Sequence, residues 1–66
     1  MSNIIGFSSL VQFANKKISE NPDLTKQIRG AVTMARDEMQ AGESEDNEVD
    51  TAVQYINELI ESKGRV

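Results

Sequence analysis

Apolar side chains return along this 66-residue chain at intervals of three and four, in three separate runs. That spacing places them on one side of an α-helix, which repeats about every 3.6 residues. The first run is Phe7, Leu10, Val11, Ala14 and Ile18. The second is Leu24, Ile28, Ala31, Val32, Ala35 and Met39, and the third Val49, Ala52, Val53, Ile56, Leu59 and Ile60. The alternation of a half-buried strand is absent from all three. The pattern predicts an all-α fold, a small three-helix bundle with helices over about 9–20, 22–41 and 48–63.

The punctuation between the runs agrees with these bounds. Ser8 or Ser9 can cap the first helix. Asn21-Pro22-Asp23 breaks the chain, because proline disfavours a helical conformation at the residue before it. Asn21 is then placed to accept from an orphan amide of helix 2, with Pro22 in the first turn and Asp23 near the positive helix end. Gly42 can end helix 2 in a left-handed conformation. Residues 42–47, Gly-Glu-Ser-Glu-Asp-Asn, read as an acidic interhelical loop, with Asn47 and Asp50 forming a cap for helix 3. Gly64 offers a stop, and Lys63 and Arg65 suit the negative end of that helix. Short connections favour antiparallel neighbours, with helices 2 and 3 as the main hairpin and helix 1 over their groove.

Three residues stand off these stripes. Phe13 is turned roughly 100° from the centre of the first stripe, which suits either a wide core face or a second contact surface. Tyr55 lies at a stripe edge, where its ring can pack while its hydroxyl stays wet. Gly30, on the outer half of helix 2, costs about 1 kcal/mol relative to alanine. A close helix crossing, a bend or plain tolerance would each account for it.

Length and composition narrow what else the chain can be. Sixty-six residues form one domain, 1–66, in which only about 60% of the unfolded chain's surface can be buried. Cysteine and histidine are both absent, so disulfides, thiolate zinc sites and imidazole ligands cannot reinforce the core. A second copy could complete it, and Ile4, Ile5, Phe7 and Phe13 are the candidate residues for such a homodimer. Met1–Phe7 has no basic side chain and leads into no long apolar run, so a signal peptide is not expected. Nor does any window approach the roughly 20 apolar residues of a membrane span. A cytoplasmic setting is expected.

Charge is unevenly distributed. Residues 1–36 carry five basic and two acidic side chains, net +3, whereas residues 37–66 carry two basic and nine acidic ones, net -7. Such asymmetry can steer a partner or set two copies head to tail. It is also what a solvated surface looks like.

No catalytic constellation emerges. Without histidine or cysteine the common nucleophile–base pairs are missing, and no glycine-rich phosphate loop occurs. Glu43, Glu45, Asp46, Glu48 and Asp50 lack the ligand order and central glycine of a calcium loop. The expectation is a non-enzyme with no cofactor and no metal.

A non-enzymatic protein-interaction module, acting as a regulator, adaptor or inhibitor, fits best. Asp50, Glu58 and Glu61 on the outer side of helix 3, with Phe13 as an apolar contact, would meet a basic or apolar surface on another protein. In its sharpest form this acidic side imitates the spacing of phosphates. The alternative is nucleic-acid association through Lys16, Lys17, Lys26, Arg29 and Arg36. It is the weaker reading, since no aromatic residues interleave them and the whole chain is anionic.

Overall fold

The computed structural model describes residues 6–64. They form an all-α three-helix bundle: α1 (Gly6–Glu20), a short 3-10 turn (Pro22–Leu24), α2 (Thr25–Gln40) and α3 (Glu45–Lys63). Every pair of helices packs together, most extensively α2 with α3. The two tight connections reverse the chain twice, so α1 and α3 run parallel, with α2 antiparallel to both. No described helix is long and apolar enough to cross a membrane.

The core follows from the three stripes. Leu10 and Ala14 come from α1, Ile28 and Ala35 from α2, and Val49, Ala52 and Ile56 from α3. Each helix supplies one large side chain to the dry centre, namely Leu10, Ile28 and Ile56, all at 0% exposure. Fully burying a side chain of that size contributes about 1.5–3 kcal/mol, so this central layer dominates the packing energy. Alanines at 14, 35 and 52 let the helices approach around it. Phe7, Phe13, Ile18, Leu24, Ala31 and Val32 close over the core, as do Val53, Leu59 and Ile60. Phe13 thus belongs to a wide apolar face of α1.

The helix bounds depart from the sequence expectation at three places. First, α1 begins at Gly6 rather than near residue 9, and Ser8 and Ser9 lie inside it. Glu45 of α3 takes over the capping, accepting the Phe7 amide at 2.9 Å, while Gly6 at φ +81° supports the turn.

Second, Asn21 does not cap a helix 2 that starts at Pro22. The 3-10 turn closes on backbone bonds, Leu24 N–H to the Asn21 carbonyl and Thr25 N–H to that of Pro22, and α2 begins after it. The Asn21 side chain is occupied elsewhere. Its Nδ2 donates to the Lys17 carbonyl at 3.1 Å, and its Oδ1 accepts from Lys63 Nζ at 3.0 Å.

Third, half of the acidic loop, residues 45–47, is helix. Ser44 is the N-cap of α3, its Oγ accepting the Asn47 amide at 3.4 Å, so α3 starts at Glu45 and not at 48. Glu45, Asp46 and Glu48 therefore occupy the first turn, where the helix dipole favours negative charge. The connection shrinks to residues 41–44. It leaves α2 as expected, through Gly42 at φ +107°, with Gly42 N–H bonded to Met39 O and Glu43 N–H to Glu38 O. That pair of bonds is the Schellman pattern.

Both ends of α3 are fastened to the α1 side of the bundle. Glu45 holds Phe7 at one end. At the other, Lys63 Nζ donates to Asp23 Oδ1 at 2.7 Å as well as to Asn21. The Lys63 hydrogen bond holds the Asp23 carboxyl below its ordinary value of 3.8. For Gly30, an added Cβ would meet nothing within 4 Å, which removes the close helix crossing as its reason.

Candidate functional site

The apolar stripe of α3 turns Val49, Ala52 and Ile56 inward, which by the helical repeat sends Asp50, Glu58 and Glu61 outward. The three fall within an arc of about 80° and span roughly 16 Å along the axis. All are exposed. Asp50 accepts from Gln54 Nε2 at 3.0 Å, one turn further on, which fixes part of the stripe's hydrogen-bonding pattern. Such a row of carboxylates on a rigid helix can meet ammonium or guanidinium groups. Phe13 stands apart from it, half-buried on α1, with Lys17 Nζ 5.5 Å from its ring centroid.

The basic set is dispersed over two helices. Lys26, Arg29 and Arg36 lie on one flank of α2, turned away from Ile28 and Ala35 and spread over about 15 Å. Arg29 borders a shallow recess between α1 and α2 formed with Val11, Asn15, Ile18 and Val32. Lys16 is exposed on α1, and Lys17 is half-buried with Glu20 at 3.5 Å. Arg36 has Asp37 at 3.7 Å. A phosphate approaching Lys17 or Arg36 would therefore meet an adjacent carboxylate.

A feature that the three core stripes do not mark is an open groove between α2 and α3. Its volume is about 330 Å³, and Gln27, Gly30, Ala31, Met34, Thr51 and Tyr55 are prominent in its lining. Ala35 and Ala52 reach it from the core, and Glu48 borders it near the start of α3. Met34 and Tyr55 are the large apolar side chains most open to solvent among the described residues, at 65% and 46%. Gly30, one turn before Met34 on α2, leaves open space in the wall of the groove. The signal was present in the sequence as a second repeat on α2, residues 27, 30, 31 and 34, displaced from the Ile28 stripe. A glycine and a glutamine in that repeat kept it from registering as apolar.

Of the residues suggested for self-association, Phe7 and Phe13 pack on the core, while Ile4 and Ile5 lie outside the described residues. No three acidic side chains among the described residues gather into an arrangement that could hold a metal ion. Comparison of the chain with protein-family models, curated proteins and solved structures gives no match. The fold and its surface are therefore what bears on function.

Proposed function

We propose that this protein is a non-enzymatic interaction module that acts in the cytoplasm as a small regulator, adaptor or inhibitor of another protein. The observation that carries the reading is the exposed carboxylate row of Asp50, Glu58 and Glu61, held on one side of α3 by the burial of Val49, Ala52 and Ile56. A rigid helix presents these charges with little ordering cost, and a basic partner surface would be both steered and oriented by them. Lys16, Lys17, Lys26, Arg29 and Arg36 support the nucleic-acid alternative less well, being divided between helices and partly accompanied by Glu20 and Asp37.

The test is affinity capture with the tagged protein, with and without nuclease, followed by reconstitution of the complex from purified components. Reversing Asp50, Glu58 and Glu61 to lysine is expected to weaken the reconstituted complex at least about tenfold, close to 1.4 kcal/mol. An unchanged Kd would reject the acidic row as the determinant. Nuclease-sensitive capture, lost on neutralising the five basic residues, would favour the alternative.

A further inference from the structure

The α2/α3 groove exposes Met34 and Tyr55 in a bundle whose dry centre holds only one large side chain per helix. Burying that groove would extend a thin core. What could cover it is constrained by the charge order along α2. Lys26 and Arg29 give its first half a net charge of +2, and Arg36, Asp37 and Glu38 give its second half -1, so the helix complements itself when a second copy runs antiparallel to it.

We infer that a second copy of this chain covers the groove, α2 packing antiparallel on α2, so that Met34 of each chain fills the gap at Gly30 of its partner. The register follows from the residue numbers. A two-fold axis level with residue 32 puts position 34 opposite position 30. The same axis sets Lys26 level with position 38 of the partner subunit, one residue from Asp37 of the partner subunit, which shares its outer shoulder of the helix pair, and two-fold symmetry produces that pairing twice. Within the chain Asp37 has only the exposed, 3.7 Å approach of its neighbour Arg36, and no ion pair among the described residues engages Lys26. Gly30 admits the methionine because nothing lies within 4 Å of where its Cβ would be.

The face is large enough. A stable specific interface removes about 600 Å² or more from each partner, roughly one-eighth of this chain's 4683 Å². One two-helix face of a three-helix bundle provides that share. By the helical repeat Asp50 and Glu61 turn about 80–100° away from Thr51 and stay outside the contact, while Glu58 lies near its edge.

Sedimentation velocity on the pure protein, from micromolar to near-millimolar concentration, tests the inference without any other partner. Its failure would leave the proposed role of the acidic row standing. A concentration-dependent dimer is expected. Met34→Glu should leave a monomer throughout, with helical circular dichroism retained because Met34 is exposed in the monomer. Lys26→Glu should raise the dimer Kd several-fold, and Lys26→Glu combined with Asp37→Lys should restore it. The inference is overturned by a monomer at every concentration, by a dimer indifferent to Met34→Glu, or by a double variant no tighter than Lys26→Glu alone. It is equally overturned if the monomer instead takes a lysine-flanked amphipathic peptide on the groove, seen through the fluorescence of Tyr55, the chain's only tyrosine.

Discussion

Two glycines in neighbouring parts of the same hairpin have opposite energetic signs. Gly42 sits at φ +107°, where a β-carbon is strained, and it completes the end of α2. Gly42→Ala is expected to cost about 1 kcal/mol. Gly30 is in helical backbone with open space where its Cβ would be, so Gly30→Ala should stabilise the monomer by about 1 kcal/mol. Urea denaturation at a concentration low enough to keep the chain monomeric checks both, as midpoint shifts in opposite directions. A helix-propensity argument alone would assign the two substitutions the same sign.

At the scale of the element, α3 is fastened at both ends, and the fastening near its C-terminus titrates. Asp23 has its carboxyl pKa lowered by the Lys63 hydrogen bond, so the folded state binds this proton less readily than the unfolded chain. Its contribution is present above the unfolded value, near 3.8, and is lost as pH falls through the lower folded value. Asp23→Asn is therefore expected to be less stable than the parent protein at neutral pH, with the gap closing in acid. Thermal unfolding of both proteins from pH 7 down through that range measures it. A gap independent of pH would remove the Lys63 contact as its cause.

The elements themselves were largely legible in the sequence, because Leu10, Ile28 and Ile56 sit at the centres of strong 3.6-residue patterns. Their starts were less so. Ser44 and Asn47 are both good caps, and only the packed structure favours the earlier one, with three carboxylates following it into the first turn. The capping of Phe7 by Glu45 joins residues 38 positions apart, and local spacing carries no trace of it. The same holds for Lys63 with Asn21 and Asp23. At the candidate site, the outward placement of Asp50, Glu58 and Glu61 follows from periodicity. The α2/α3 groove does not, since its depth depends on how far apart two helices settle.

For the whole molecule, size makes the centre fragile. A 66-residue domain has a total stability of about 3–10 kcal/mol at the usual scale per residue. Ile28 is fully buried, and truncating such a side chain costs about 2–5 kcal/mol. Ile28→Ala should thus remove a large share of the total, lowering the melting temperature steeply or leaving the chain largely unfolded at 37 °C. A change at exposed Gln40 should do neither, and calorimetry on the two variants distinguishes them.

The parallel course of α1 and α3 also has a mechanical side. With three helices, residues 6 and 64 stand at opposite poles, so tension applied between them slides helices along one another and loads many side-chain contacts together. Tension between residue 6 and the 41–44 connection, which share a pole, would peel α1 from α2 one turn at a time. The same bundle therefore resists stretching along its length and yields to unzipping from one end.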